Sequence, residues 1–381
     1  MKKIVRFGVI GLGLMGREFA SAVARWCHLL DSSAQPQIVG VCDQSVAGFE
    51  WFRRNFPGIK VFTSDYKDLL ANPQIDAIYC AVPHNLHEKM YIDIIRSGKH
   101  LLGEKPFGID QKANTAILAA ISENPEVVVR CSSEFPFFPG CRRLLSWLSD
   151  QEFGQILEVK AGFCHSSDLD LTKPINWKRQ IAYNGEYGCM GDLGMHALHV
   201  PLRMGWVPET VYALLSKHVD LRPDGKGGSV ACETWDNATL ACRVKGEDGH
   251  AFPMILEMKR MAPGMTNSWY LEVSGLKGAA RFSTNDPQAF HYLESNGQEQ
   301  AWCRIGVGSK PQFPTITGSI FEFGFSDAIL QMWATFIEDI VVGGRSDVFD
   351  CVTPEETRLS HALLTAALMS NKSGRAEVVC T

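Results

Sequence analysis

The fold depends on one stretch near the start of the chain, Val5-Arg6-Phe7-Gly8-Val9-Ile10-Gly11-Leu12-Gly13-Leu14-Met15-Gly16. Residues 5–10 are an apolar run of the kind found in buried strands, and residues 11–16 match the pattern G-x-G-x-x-G. A helical pattern continues over residues 17–30, where apolar side chains recur at Phe19, Val23, Cys27 and Leu30. The sequence therefore predicts a strand, a glycine-rich turn and a helix in immediate succession.

Each of the three glycines meets a steric requirement of such a turn. Gly11 allows a tight turn, Gly13 lets the backbone approach a pyrophosphate closely, and Gly16 lets the helix pack against the strand. The helix N-terminus offers unpaired N–H groups and the positive end of the helix dipole to phosphates. Glycines also cluster in ordinary structural turns, so the motif gains weight from its flanking strand and helix. We expect a bound dinucleotide to contact Gly11, Gly13, Leu14, Met15 and Gly16.

A second apolar run, residues 38–42, leads directly into Asp43. A carboxylate at this point can accept hydrogen bonds from the adenosine ribose hydroxyls and repels a 2′-phosphate. Gln44 is the next residue, and the next arginine is Arg53. The sequence therefore predicts NAD as the cofactor, preferred over NADP.

The chain divides into two parts of different character. Residues 1–131 alternate short strands with helices, which predicts a parallel, doubly wound sheet, a Rossmann-type α/β domain. Longer strands begin at residue 155, which predicts an α+β domain with a mostly antiparallel open sheet over residues 132–381. We expect this second domain to bind substrate and to mediate oligomerisation. Its last helix, about residues 354–372, starts at a capping box and is expected to pack back on the first domain.

Composition excludes several classes of protein. The 381 residues carry 37 basic and 42 acidic side chains, a net charge of −5, whereas nucleic-acid binders need a basic surface. No apolar stretch reaches the roughly 18 residues that span a bilayer. The 12 cysteines include no C-x-x-C pair, which favours reduced thiols in a cytoplasmic protein. We therefore expect neither nucleic-acid nor membrane partners.

Candidate catalytic residues stand at two further places. Glu104-Lys105-Pro106 comes directly after a buried strand, at the sheet edge where doubly wound folds bind ligands. A lysine there can hydrogen-bond a substrate hydroxyl and stabilise negative charge on its oxygen. Asp192 and His196 are four residues apart, so on a helix they share one face, where a carboxylate can orient an imidazole. The alternative interpretations are that Lys105 is an ordinary solvated surface lysine and that Asp192 and His196 form an ion pair on a helix surface.

These motifs occur in the order of a known family. The segments are Ala81-Val82-Pro83-His84-Asn85-Leu86-His87, Gly98-Lys99-His100, Glu104-Lys105-Pro106 and Gly191-Asp192-Leu193-Gly194-Met195-His196. With the glycine turn, the chain resembles the Gfo/Idh/MocA oxidoreductases over essentially its whole length. The resemblance implies that Lys105, Asp192 and His196 are catalytic, with His196 as the proton acceptor.

The resemblance also implies binding residues. Those expected at the cofactor, besides the glycine turn and Asp43, are Val82, Pro83, Asn85, His87, Glu104, Lys105 and Trp177. Those expected at the substrate are Lys105, Lys178, Arg179, Asp192 and His196. Trp177 could stack on a sugar or nicotinamide, while a core tryptophan flanked by solvated bases is the alternative. The chain departs from the family at His84, where asparagine is frequent, and at His199, where an acidic residue is frequent.

Several functions fit these residues. The leading hypothesis is an NAD-dependent dehydrogenase acting on a sugar, a sugar derivative or a cyclitol. An NAD-dependent glycosidase, using transient oxidation, elimination, hydration and re-reduction, would need an additional base, for which the candidates are His199, Tyr183 and Tyr187. A ligand-sensing NAD-binding regulator is a third possibility. We expect no metal, although Asp192, His196 and His199 could be read as zinc ligands. The open sheet predicts a homodimer or homotetramer.

Overall fold

The structure is a computed structural model that describes residues 2–150, 153–246, 248–295, 297, 299–308, 310–344 and 349–381. In chain order its strands are β1 (Lys3–Ile10), β2 (Ala34–Cys42), β3 (Val61–Thr63), β4 (Ala77–Cys80), β5 (His100–Gly103), β6 (Val129–Cys131), β7 (Ile156–Cys164), β8 (Pro208–Ser216), β9 (Leu221–Pro223), β10 (Ser229–Ala231), β11 (Asn237–Lys245), β12 (Ala251–Lys259), β13 (Ser268–Gly275), β14 (Gly278–Ser283), β15 (Ala289–Glu294), β16 (Cys303–Gly306) and β17 (Glu377–Val378). Its α-helices are α1 (Leu14–Ala24), α2 (Ala47–Asn55), α3 (Tyr66–Ala71), α4 (His87–Arg96), α5 (Gln111–Glu123), α6 (Pro139–Ser149), α7 (Ile181–Asn184), α8 (Cys189–Arg203), α9 (Phe325–Val342) and α10 (Pro354–Ser373).

The chain folds into two compact units. The first consists of Met1–Gly108, Lys112–Phe137 and Lys310–Pro354. The second consists of Ile109–Gln111, Phe138–Ser309 and Glu355–Thr381.

The first unit contains a six-stranded sheet in the order β3-β2-β1-β4-β5-β6. Every pairing in it is parallel. Parallel strands are covered by helices on both faces and read as continuous apolar runs, as in β4, where all four residues are buried. The strand order reverses between β1 and β4, which creates a crevice at the carboxyl ends of these strands. The predicted Rossmann-type sheet is confirmed.

Helix α9 belongs to this first unit. The ring of Trp333 lies 4.0 Å from that of Phe19 in α1 and 4.7 Å from that of Tyr79 in β4. These contacts bury the apolar stripe of α9 within the first unit, so residues 310–354 group with the parallel sheet. This differs from the predicted boundary, which assigned everything after residue 131 to the second domain. The sequence did not reveal this contact, because the stretch Phe138–Ser309, which belongs to the other unit, separates α9 from α1 and β4 along the chain.

The second unit contains a nine-stranded sheet in the order β16-β15-β14-β13-β7-β12-β11-β8-β17. It is antiparallel except for the pair β7 and β12, which run parallel with Cys164 opposite Lys259. The predicted open, mostly antiparallel sheet is confirmed. Helix α8 packs on β7 and β12, and its residues 189–202 are all buried.

The last helix, α10, also belongs to the second unit. Its Ser370 Oγ accepts a hydrogen bond of 3.0 Å from the backbone N–H of Ala213 in β8. Near its start, Glu356 forms an ion pair with Arg203 of α8. We predicted that this helix packs back on the first domain. The structure instead groups it with α8 and β8, because its polar side chains satisfy groups of those two elements.

Candidate functional site

The glycine turn joins β1 to α1 at the switch point of the parallel sheet. Gly11 has a φ of +91°, and a Cβ there would collide with the backbone carbonyl of Ala81. A Cβ on Gly16 would collide with the carbonyl oxygen of Gly11, so this glycine permits the helix to approach the turn. A Cβ on Gly13 would meet nothing within 4 Å. The open side of the turn therefore lies at Gly13, where a pyrophosphate can approach the backbone.

The N-terminus of α1 fits an anionic group. Gly13 caps the helix without a side-chain hydrogen bond, and the first turn contains no acidic residue. Its first backbone N–H groups and the positive end of its dipole therefore meet no competing carboxylate there. Leu14, 75% exposed, and the half-exposed Met15 stand at the same helix start. The residues of the turn thus fit a dinucleotide phosphate.

Asp43 comes after β2, beside the glycine turn. Its Oδ2 accepts a hydrogen bond of 2.7 Å from the backbone N–H of Leu12, and its Oδ1 accepts one of 2.7 Å from Ser45 N–H. Each carboxylate oxygen has a further lone pair, and the side chain is half-exposed. Asp43 can therefore brace the turn and still accept a hydrogen bond from a ribose hydroxyl. The neighbouring Gln44 is exposed and donates to the carbonyl of Ser64 at 2.6 Å.

The segment after β4 turns back into α4. Val82 and Pro83 are half-buried and Asn85 is exposed, so these three can face a ligand. His87 is fully buried: its Nε2 lies 3.1 Å from the carbonyl oxygen of Val82, and its ring stacks on Tyr91. Its ring therefore braces the turn that presents Val82, which differs from the direct cofactor contact that the resemblance implied.

Glu104 and Lys105 come after β5 at the carboxyl edge of the same sheet. The hydroxyl of Tyr79 donates a hydrogen bond of 2.9 Å to Oε1 of Glu104, and the hydroxyl of Tyr91 donates to its backbone carbonyl at 2.9 Å. Glu104 is only 6% exposed, whereas Lys105 is half-exposed. The Lys105–Pro106 peptide bond is cis. Two tyrosines therefore fix the backbone and side chain immediately before the lysine.

In the second unit, Asp192 and His196 lie one turn apart on α8. Both are almost fully buried, at 1% and 5% exposure. The indole Nε1 of Trp269 donates a hydrogen bond of 2.8 Å to the carbonyl oxygen of His196, and the ring of Phe163 contacts the imidazole edge-on at 5.3 Å. Trp269 thus fixes the backbone of His196, and Phe163 packs against its imidazole.

The carboxylate of Asp192 is held by two cations. Lys178 Nζ lies 2.8 Å from its Oδ1 and 3.0 Å from its Oδ2, and Arg260 donates to its Oδ2 as well. Arg260 also donates from Nε to Asp168 Oδ2 at 2.7 Å. Asp168 also pairs with Arg179, which pairs with Asp236. The ion pairs thus form one network, the charge network, which is buried except at Lys178 and consists of Lys178, Asp192, Arg260, Asp168, Arg179 and Asp236. With all six ionised it carries no net charge.

Arg179 and Lys178 lie in the short helical turn Trp177–Arg179. Arg179 is fully buried and donates to Asp168 and to Asp236, which makes it part of the charge network rather than the substrate contact that the resemblance implied. Lys178 is half-exposed and lies 5.7 Å from the centre of the Trp177 ring. A ligand can therefore reach Lys178 and Trp177 but not Arg179.

His199 has a different environment from His196. It is fully buried, and its Nε2 lies 3.4 Å from Nη2 of Arg203, the arginine that pairs with Glu356 of α10. This histidine therefore takes part in the packing of α8 against α10, and the geometry favours His196 for proton transfer. Among the other candidate bases, Tyr187 hydrogen-bonds Thr365 at 2.7 Å, and burial raises its pKa to about 12.

Sequence reasoning missed His165, Asp168 and Arg260. His165 comes directly after β7 and Arg260 directly after β12, two parallel neighbours that end at the same edge. Burial and the positive charge of Arg260 lower the pKa of His165 to about 4, so its imidazole is neutral at physiological pH. A signal existed in the sequence, because both residues stand at the end of a strand-like run. Without the pairing of those strands, however, nothing connected them with Asp192.

The described residues offer neither a cluster of metal ligands nor a membrane-spanning helix. Within the described ranges, no group of three or more His, Cys, Asp or Glu side chains could hold a metal ion. In the same part of the chain, no helix has the length and apolar character needed to cross a membrane.

Comparison with known proteins points to one family. Residues 5–130 match the model of the Gfo/Idh/MocA oxidoreductase family, described as an NAD-binding Rossmann fold. Levoglucosan dehydrogenase of Pseudarthrobacter phenanthrenivorans is 24% identical over 288 residues, which cover 72% of this chain and 73% of that protein. Glucose-6-phosphate 3-dehydrogenase of Bacillus subtilis is 25% identical over 297 residues, which cover 77% of this chain and 78% of that protein.

The fold is shared over the full length of a solved structure. A levoglucosan dehydrogenase in complex with NADH and L-sorbose superposes with a TM-score of 0.89 at 20% identity, covering 100% of both chains. At this identity the likeness shows a common fold.

Proposed function

We propose that this chain, whose residues 5–130 match the model of the Gfo/Idh/MocA oxidoreductase family, is an NAD-dependent dehydrogenase that oxidises a hydroxyl of a sugar, a sugar derivative or a cyclitol. The observation that carries the proposal is the placement of Asp192 and His196 one turn apart on α8, with the carboxylate of Asp192 paired to Lys178 and Arg260. The names of the relatives, which include a levoglucosan and a glucose-6-phosphate dehydrogenase, support a carbohydrate substrate.

The proposed mechanism assigns one task to each side chain. His196 takes the proton of the substrate hydroxyl, and the fixed carboxylate of Asp192 stabilises the imidazolium that results. Lys105 donates a hydrogen bond to the substrate oxygen and stabilises the negative charge that develops as the C–H bond breaks. NAD, when bound, supplies the hydride acceptor. The glycine turn and the start of α1 would hold its pyrophosphate, and Asp43 its adenosine ribose.

The proposed preference for NAD rests on Asp43. Its carboxylate oxygens, braced by the N–H groups of Leu12 and Ser45, can accept from both ribose hydroxyls and repel a 2′-phosphate. The next residue, Gln44, is uncharged and offers no positive charge to a 2′-phosphate.

The proposal is tested with the purified chain, NAD and a panel of free sugars, cyclitols and their nitrophenyl glycosides. We expect net formation of NADH with at least one free sugar or cyclitol and no release of nitrophenol. Release of nitrophenol that needs NAD, without net reduction, would establish the glycosidase instead. If neither signal appears while NADH still binds, the chain is a sensor.

The variant Lys105→Met separates an enzyme from a sensor. Loss of one donor to a developing oxyanion lowers turnover by about 10²–10³-fold. We expect Lys105→Met to show this loss of turnover while it retains its affinity for NADH. The matched control Lys112→Met removes an exposed lysine of α5 and should leave turnover within twofold, on the order of experimental scatter.

A further inference from the structure

Three neighbouring strands of the first unit bring two glutamates and a lysine together. Strands β4, β5 and β6 are adjacent and parallel, so the residues at their carboxyl ends share one edge. The backbone N–H of Ser132 donates a hydrogen bond of 2.9 Å to the carbonyl of Gly103, which keeps the chain after β6 beside the chain after β5. Glu134 lies two residues further on. Its backbone carbonyl accepts from Phe137 N–H at 3.0 Å, so a short helical turn fixes its position.

Both glutamates are buried, and Glu134 lies within electrostatic reach of Lys105. Glu134 is 4% exposed and Glu104 is 6% exposed. The carboxyl of Glu134 is repelled by Glu104 and attracted by Lys105. Tyr79 of β4 also faces this cluster, but burial raises its pKa well above the usual value, so its hydroxyl stays neutral. The cluster therefore contains two carboxyls and one ammonium group.

Charge balance opposes the ionisation of a second carboxyl in this cluster. One ammonium compensates one buried carboxylate, and a second buried negative charge would lie beside the first. Glu104 accepts a hydrogen bond from the hydroxyl of Tyr79. Burial, together with the charge of Glu104, raises the pKa of Glu134 to about 8. Glu134 is therefore neutral at pH 7 and ionises in the weakly alkaline range.

We propose that Glu134 is a positioning residue for Lys105: its neutral carboxyl leaves the ammonium directed to the substrate oxygen, and its carboxylate draws the ammonium towards itself. This inference rests on the proposed function, in which Lys105 donates to that oxygen. It predicts that one substitution shifts two measured quantities in opposite directions.

The first measurement is the pH dependence of turnover for the wild type, Glu134→Gln and the control Glu126→Gln. Glutamine keeps the shape of the neutral carboxyl and does not titrate. Wild-type turnover should fall about tenfold per pH unit above the ionisation of Glu134. In Glu134→Gln the fall of turnover at alkaline pH, the alkaline limb, should begin about 1 pH unit or more higher, because only Lys105 itself then titrates. Replacing Glu126, an exposed residue that precedes β6, should leave the alkaline limb of turnover unchanged.

The second measurement does not need a substrate. Trace labelling with acetic anhydride at a series of pH values, read by mass spectrometry, gives the midpoint at which Lys105 becomes reactive. Removal of a nearby carboxylate stabilises the neutral amine, so the midpoint should fall by about 1 pH unit in Glu134→Gln. Exposed lysines of the same sample, such as Lys112, serve as internal references.

The two measurements separate the outcomes. An upward shift of the turnover limb with a downward shift of the Lys105 midpoint supports the proposal, and a merely structural role would produce neither. An unchanged midpoint overturns it, whatever turnover does. If no compound of the panel is oxidised, the proposed function fails, while the labelling still decides whether Glu134 and Lys105 are coupled. Retained NADH binding shows that Glu134→Gln is folded.

Discussion

His196 and His199 show how strongly a side chain's role depends on its neighbours. Both histidines lie on α8 and both are buried. His196 shares a helix face with Asp192, one turn away, whereas His199 lies beside Arg203 and the packing against α10. Two residues of the same type, three positions apart, are therefore expected to differ in function.

Replacing each histidine tests this difference. His196→Gln should lower turnover by about 10²–10⁴-fold, because a positioned proton acceptor contributes that much, with NADH affinity retained. His199→Gln should mainly lower the stability of the second unit. Steady-state kinetics with NADH titration and urea unfolding measure both variants. Equal losses of turnover in the two variants would contradict the assignment of His196.

Cofactor preference depends on a single carboxylate. The double variant Asp43→Ala/Gln44→Arg removes the repulsion of a 2′-phosphate and adds a cation beside it. We expect the ratio of kcat/KM for NADP to that for NAD to rise by about tenfold or more. Gln44→Arg alone is the control, since it keeps the carboxylate. An unchanged ratio in the double variant would refute the role of Asp43.

At the scale of elements, α8 is fixed by charged residues that lie beyond the carboxyl ends of β7 and β12. These two strands run parallel, so Asp168 and Arg260 reach the helix from one edge of the sheet. Arg260 links the carboxylates of Asp168 and Asp192, and both pairs are buried. Loss of one partner in a buried pair leaves an uncompensated charge, which is why this network is sensitive to single substitutions.

The variant Asp168→Asn tests the charge network through its pH dependence. Burial raises the pKa of this carboxyl, but Arg260 and Arg179 outweigh burial and lower the pKa below its usual value. Its stabilisation is therefore present above the unfolded-state pKa of about 3.9 and is lost as the pH falls through the lower folded-state value. We expect Asp168→Asn to lose about 3–5 kcal/mol of unfolding free energy at pH 7.

Urea unfolding from pH 7 down to pH 3 measures this dependence. The curves of the wild type and Asp168→Asn should converge in acid. The exposed Asp170, two residues away, offers the matched control Asp170→Asn, because its carboxylate accepts hydrogen bonds from Thr172 at the surface. A difference between the wild type and Asp168→Asn that is constant over the whole pH range would contradict a charge-based stabilisation.

At the scale of the whole molecule, strand β8 of the nine-stranded sheet exposes apolar side chains on one face. Along β8, Val211 and Ala213 are buried, whereas Tyr212 and Leu214 are 40% and 60% exposed. Alternate residues of a strand point to opposite faces, so the exposed pair lies on the side opposite to the buried one. Exposed apolar patches on a sheet favour association, and we propose a homodimer or homotetramer through this face.

Sedimentation velocity of Leu214→Glu tests the proposed interface. A charge on the apolar face should shift the protein to the monomer, whereas Leu276→Glu, a change at an equally exposed leucine in the turn between β13 and β14, should not. A wild type that sediments as a monomer at micromolar concentration would remove the proposal.

The sequence predicted local elements well where one pattern dominated. Strand β1 ends at Ile10, as the apolar run 5–10 predicts, and begins two residues earlier, at Lys3. Strand β2 begins four residues earlier than predicted, at Ala34, where Pro36 and polar neighbours conceal the extended backbone. Short-range patterns thus fix the type of an element more firmly than its limits.

The glycine turn, Asp43 after β2, Lys105 after β5 and the one-turn spacing of Asp192 and His196 were determined by the sequence itself. Each depends on residues close together in the chain, whose geometry is set by steric needs and helical periodicity. Only the tertiary structure decided that Lys178 and Arg260 hold Asp192, that the segment leading to Glu134 lies beside the end of β5, and that α9 packs on the parallel sheet. These contacts join residues far apart in sequence, so strand pairing and burial, rather than local pattern, determine them.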